Sequence, residues 1–130
     1  MTTKVIVHCS DSPDNRADID AEEIHRWHTK RRWSGIGYHY VIKRDGILEN
    51  GRPEYWTGAH VRSHNKDSIG ICMIGRERFT TEQFDTLFDL IQDLNRRHLG
   101  ISLFSHFELD DRKTCPNFDA RAWYEKRLSK

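Results

Sequence analysis

An α/β fold with a mixed central β-sheet flanked by helices is what this sequence predicts, and three observations carry the prediction. Two apolar runs, Val5-Ile6-Val7 and Ile69-Gly70-Ile71-Cys72-Met73-Ile74, read as buried strands. Between them stands a strong hairpin signal, Asp45-Gly46. After them, Phe84, Leu87, Phe88, Ile91 and Leu94 repeat at three and four, the stripe of a long amphipathic helix. Strands and helices interleave at the two ends while the middle is hairpin-connected, which favours a mixed sheet. A chain of 130 residues suits one packed core and is short for two ordinary domains, so residues 1–130 are expected to form one domain.

The elements follow in order. Lys4 to His8 is a short β-branched strand that enters the polar turn Cys9-Ser10-Asp11-Ser12-Pro13, which leaves His8 near the strand's carboxyl end. Asp20 with Glu23 has capping-box spacing, and Ile24, Trp27 and His28 follow at helical spacing, so a helix is expected from about 20 to 31. Gly35-Ile36-Gly37 breaks it. Tyr38 to Lys43 is aromatic and β-branched and returns through Asp45-Gly46 into Ile47-Leu48-Glu49, a hairpin. A further strand is expected at Ser68 to Ile74. Thr80 with Gln83 repeats the capping-box spacing and opens the long helix, which stops at Gly100. Ile101 to Ser105 reads as a strand delivering His106, a loop runs through Cys115-Pro116, and Asp119 caps a short last helix carrying Trp123. There is no internal repeat, linker or low-complexity segment.

Composition excludes several function classes. A mean hydropathy of -0.81 is polar, yet the strong apolar runs argue against disorder. With 21 basic and 20 acidic residues the formal charge is +1, which gives no electrostatic case for nucleic acid or an anionic membrane surface. No apolar stretch approaches the roughly 20 residues that cross a bilayer, and no export signal is read at the amino terminus. Three cysteines, Cys9, Cys72 and Cys115, are odd in number and irregular in spacing, so they read as thiols and not as a disulfide framework.

Eight histidines is a high count for so short a chain, and neutral imidazole is a common metal ligand. His8 and His106 at strand ends, with Cys115 in the adjoining loop, could supply three donors to a metal that keeps a position open for water or substrate. The nine-residue step from His106 to Cys115 is not diagnostic by itself, and on residue types alone structural roles for these side chains outweigh the metal reading.

The ordered motifs shift that balance. They begin with Val7-His8-Cys9-Ser10, Ile24-x-x-Trp27-His28, Gly35-Ile36-Gly37-Tyr38-His39-Tyr40 and Ile42-Lys43-Arg44-Asp45-Gly46. They continue through Gly58-Ala59-His60, Asn65-Lys66-Asp67-Ser68-Ile69-Gly70-Ile71, Ser105-His106-Phe107-Glu108 and Lys113-Thr114-Cys115-Pro116-Asn117-Phe118-Asp119. Through almost its whole length the chain resembles the type-2 N-acetylmuramoyl-L-alanine amidase family, in particular its short phage endolysins. The resemblance implies the amidase and peptidoglycan-recognition-protein fold, Zn2+ held by His8, His106 and Cys115, and catalytic roles for Tyr38 and Lys113. It implies hydrolysis of the amide between N-acetylmuramic acid and L-alanine of peptidoglycan, by a monomer made in the host cytoplasm and acting on the periplasmic wall. From His106 to Lys113 the chain is one residue longer than the phage pattern, which makes Arg112 a competitor for the lysine's role; the intact Lys-x-Cys-Pro spacing favours Lys113.

Plainer readings stand beside these. Tyr38 could pack at a strand edge, and Lys113 and Arg112 could be solvated loop charges. His39 reads as structural, and so do His25 and His28, although their spacing of three on a helix could hold a metal. Glu108 could hold a ligand histidine through a hydrogen bond or form a surface ion pair. His60 and Asn65 are expected to border the cleft, Cys9 and Cys72 to fill apolar space, and Tyr55-Trp56 to stack on a sugar or sit at the rim. Two other functions remain in play: a peptidoglycan-binding module without hydrolysis, and a regulatory interaction protein. A glycosidase is disfavoured because no distinctive carboxylate pair is present.

Overall fold

Parallel pairing of the two ends of the chain organises the molecule. The computed structural model describes residues 2–130. Strand β1 (Lys4–Cys9) lies between β4 (Ser68–Met73) and β5 (Ser102–Ser105), parallel to both, and β2 (Tyr40–Ile42) is parallel to β4 on its other side. Only β3 (Leu48–Asn50), the return arm of the hairpin, runs antiparallel, so the order is β3-β2-β4-β1-β5. The expected mixed sheet is present. Helices α1 (Ala21–Lys30), α2 (Thr81–Arg97), α3 (His106–Leu109) and α4 (Ala120–Leu128) complete it.

The caps fall where the sequence places them. Asp20 Oδ1 accepts the Glu23 N–H at 2.9 Å at the start of α1, and Thr80 and Gln83 form the reciprocal pair at the start of α2. Helix α2 ends at Arg97, three residues before Gly100, because His98 turns to extended backbone and its ring meets Glu54 at 2.9 Å. The hairpin strands are shorter than expected, although Gly51 and Arg52 still donate to the His39 and Tyr38 carbonyls beyond them. Helix α3 was not anticipated. It follows β5 without a break, with Glu108 Oε1 accepting the Ser105 N–H at 2.9 Å.

Strand alternation divides the core in two. On one face Val5, Val7, Ile69, Ile71 and Met73 meet Leu87, Leu90, Ile91 and Leu94 of α2, all buried hydrocarbon. Each such side chain contributes about 1.5–3 kcal/mol on burial. On the other face Val41, Cys72 and Ile74 pack with Ile19, Ile24 and Ile36 around α1. His8 pairs in register with Cys72 and is buried on this second side. Gly37 lets the segment before β2 approach the loop at residue 59: a Cβ there would stand 2.1 Å from the Ala59 carbonyl oxygen, and the Ala59 N–H donates to Gly37 at 3.0 Å.

Candidate metal centre

Register brings the two strand-end histidines together. Val7 of β1 is the partner of Ser105 at the end of β5, so His8 follows one side of this pair within β1 and His106 follows the other as the first residue of α3. Their Nδ1 atoms are 3.0 Å apart, both rings are buried, and the ring centroids lie 4.3 Å apart. The third residue comes by way of the loop. After α3 the chain doubles back until the Phe107 N–H donates to the Cys115 carbonyl at 3.0 Å, which sets Cys115 beside His106. Its sulfur lies 2.8 Å from that of Cys9.

The electrostatics suit metal donors. Burial, reinforced by His60 and His106, pushes the His8 imidazole well below its usual range, and burial holds His60 down to about 3. Both rings are therefore neutral near pH 7 and retain a lone pair. Cys115 is held well below the ordinary thiol range by the hydrogen bond from Cys9, with His106 adding to it, while Cys9 is pushed up. Both thiols line the cleft, and Cys115 is the one poised to ionise. Among the described residues no three His, Cys, Asp or Glu side chains stand in a finished metal cage. The donor set nevertheless fits zinc: two imidazoles and one acidified thiol are borderline and soft ligands, and the 3.0 Å nitrogen separation is within a few tenths of the ~3.3 Å set by tetrahedral Zn–N bonds of ~2.0–2.1 Å.

A cleft of about 710 Å³ opens over these groups, lined by Tyr38, His106, Lys113 and Cys115 as well as Arg112 and Trp27. His8 forms no part of its wall and lies behind His106. The Tyr38 ring is 5.1 Å from that of His8, and burial raises its phenol well above 10, so the hydroxyl keeps its proton at neutral pH. Arg112 and Lys113 both reach the cleft but differ in engagement. Asp110 accepts two guanidinium hydrogen bonds from Arg112, at 3.0 and 3.1 Å, whereas Lys113 forms no ion pair among the described residues.

Other candidates are placed elsewhere. His28 and His25 accept from the Gly37 and Ile36 N–H groups at 2.9 and 3.1 Å, so α1 uses them to hold the Gly35–Gly37 segment. His39 accepts from the Gly70 N–H and meets the Trp56 carbonyl, a structural role. Glu108 engages Ser105 and Arg121, not a ligand histidine. Cys72 fills apolar space, but Cys9 lies against Cys115. Tyr55 and Trp56 are exposed on the loop after β3. Asn65 Oδ1 accepts from the His60 and Val61 N–H groups, each at 2.8 Å, which makes it a loop cap. His60 itself stands behind His8, with Nδ1 2.8 Å from His8 Nε2. Sequence reasoning set it at the cleft because the 52 residues between them hide a contact that only the sheet creates.

The sequence profile of the family described as N-acetylmuramoyl-L-alanine amidase matches residues 2–118. The chain belongs to the N-acetylmuramoyl-L-alanine amidase family. Among amidase-family relatives, the endolysin of Escherichia phage T7 is 36% identical over 133 residues, covering 96% of this chain and 87% of the relative. The solved structure of the N-acetylmuramoyl-L-alanine amidase LysC from Clostridium intestinale superposes with a TM-score of 0.88 at 26% identity, covering 98% of this chain and 85% of that one. Drosophila PGRP-LB superposes at 0.80 and 27% identity, over 88% and 74% of the two chains. The amidase fold and its kinship with peptidoglycan recognition proteins therefore hold for this chain. No described helix is long and apolar enough to cross a membrane.

Proposed function

We propose that this chain is a zinc-dependent N-acetylmuramoyl-L-alanine amidase that acts as a phage-type endolysin, with His8, His106 and Cys115 as the metal ligands. The observation that carries the reading is the facing pair of buried Nδ1 atoms beside an acidified thiol at the cleft floor. Bound zinc would supply Lewis acidity, lowering the pKa of a water towards roughly 7 and polarising the scissile carbonyl.

The rest of the chemistry falls to the chain's own groups. His8 and His106 are both buried with their Nδ1 atoms facing one another, and burial keeps the His8 ring neutral, so the two side chains are already gathered at one point. Tyr38 keeps its phenolic proton and can donate a hydrogen bond to substrate or orient the attacking water, and it is a poor general base at neutral pH. Lys113 places an ammonium at the cleft wall, where it can stabilise the negative charge that develops on the carbonyl oxygen. Arg112 is occupied by Asp110 and is assigned no catalytic part. The substrate is peptidoglycan, and the bond cut joins the lactyl group of N-acetylmuramic acid to L-alanine.

The fold shared with peptidoglycan recognition proteins keeps a second reading, binding of peptidoglycan without hydrolysis. One experiment decides between them. Purified peptidoglycan is digested with and without a zinc chelator, and the products are analysed. New L-alanine amino termini that vanish on chelation are expected. Binding without cleavage would establish the recognition reading, and new reducing sugar ends would overturn both.

A further inference from the structure

Behind His8 the side chains form a directed line of hydrogen bonds. Ser68 Oγ lies 2.6 Å from the His64 carbonyl, which has no hydrogen to give, so the single hydroxyl proton of Ser68 is spent there. His60 Nε2 lies 3.2 Å from the same oxygen. Ser68 can then only accept from His60, which puts the proton of that ring on Nε2 and leaves Nδ1 bare. His60 Nδ1 is 2.8 Å from His8 Nε2 and must accept from it. His8 in turn carries its proton on Nε2, and its bare Nδ1 is the atom that faces His106.

We propose that His60 is a positioning residue: with Ser68 behind it, it fixes the tautomer and ring orientation of His8 so that the Nδ1 lone pair of His8 points at the metal position. The inference rests on reading His8 as a metal ligand.

The surroundings hold His60 to this task. Asn65 Oδ1 fastens its backbone N–H, and its ring lies directly on Gly70, where a Cβ would stand 2.6 Å from it. The glycine in the middle of β4 is what makes room for an imidazole behind His8. A metal-ligating histidine gains from an acceptor on its far nitrogen, and loss of such a partner typically weakens metal binding about 10–100-fold.

The test reads the tautomer and the metal separately. Two-bond 1H–15N spectra of the metal-free protein should place the His8 proton on Nε2 in the unsubstituted chain and show a mixture in His60→Phe. Zinc dissociation constants, measured by competition with a chelator, should rise about 10–100-fold in His60→Phe. In His60→Asn, where an amide oxygen can take the place of Nδ1, the rise should be only several-fold. Ser68→Ala should give a mixed His60 tautomer and a smaller loss, and it decides the matter if His60→Phe does not fold. A His8 proton on Nδ1 in the unsubstituted protein, or zinc binding unchanged in a folded His60→Phe, overturns the proposal. A chain that binds no zinc yet shows the Nε2 tautomer shifting in His60→Phe would sink the function proposed above while leaving the His60–His8 relation standing.

Discussion

The two faces of the sheet come from the same strands and bury opposite kinds of matter. Towards α2, β1 sends Val5 and Val7 into a cluster of apolar side chains, where any well-packed apolar side chain serves. Towards α1, the next position along the same strand sends His8 into a group of imidazoles, a tyrosine and thiols, where each polar atom needs a particular partner. The α2 face is apolar packing alone, whereas the α1 face carries the polar groups beside its own smaller apolar cluster. Substitutions on the two sides should separate folding from function.

The largest separation is expected from Cys115→Ser. Amide hydrolysis should fall to background and zinc should be lost, as read by product analysis and metal content, while the thermal midpoint of the metal-free protein changes little. Its mirror image is Leu87→Ala on the α2 face, which should cost about 2–5 kcal/mol in denaturant unfolding, with zinc affinity per folded molecule unchanged. Tyr38→Phe should lower kcat about 10²-fold or more with zinc retained; loss of zinc instead would make Tyr38 part of the site's framework. Lys113→Ala should lower kcat about 10²-fold, against about twofold or less for Arg112→Ala, and the reverse order would exchange their roles.

The smallest effect lies at the end of α2, where Glu54 of the loop after β3 meets Arg97 and Tyr40. Arg97, with Tyr40 and His98, holds Glu54 down to about 2. A carboxylate so depressed adds stability that is present above its unfolded value near 4.5 and lost as pH falls through about 2. Glu54→Gln should therefore cost about 1 kcal/mol at pH 7, and the difference from the unsubstituted protein should shrink on acidification from pH 4.5 to 2. A gap that stays constant over that range would mean the carboxylate's charge contributes nothing.

The hydrocarbon face was the more legible in the sequence. The spacing of Leu87, Ile91 and Leu94 announces a helix and its buried stripe, and the β-branched run at Val5–Val7 announces the strand, because local periodicity reports directly on such packing. The histidine face could be read only in part. His8 and His106 were recognisable as strand-end residues, but that they face one another depends on β1 and β5 being parallel neighbours, a fact of register and not of spacing. His60 was misplaced for the same reason. Its contact with His8 is made across β4, over a glycine whose missing side chain leaves no mark in a hydrophobic pattern. Cys9 read as apolar filler because its neighbour Cys115 lies 106 residues away. Helix α3 had a signal, the Ser105-x-x-Glu108 spacing, lost beside the strand that precedes it.

The parallel seating of β1 beside β5 also acts as a ruler. The two imidazoles are launched from Val7 and Ser105, paired on adjacent strands ~4.8 Å apart, a spacing that owes nothing to the length of the chain that follows. The turn after α3 is closed on itself, with Asp110 accepting both the backbone N–H and the guanidinium of Arg112, while the Phe107 N–H pins Cys115 at the far end. A residue gained between His106 and Lys113 can swell that turn and leave the width of the site untouched. A change of loop length along this stretch is therefore expected to leave His8 and His106 where the sheet puts them.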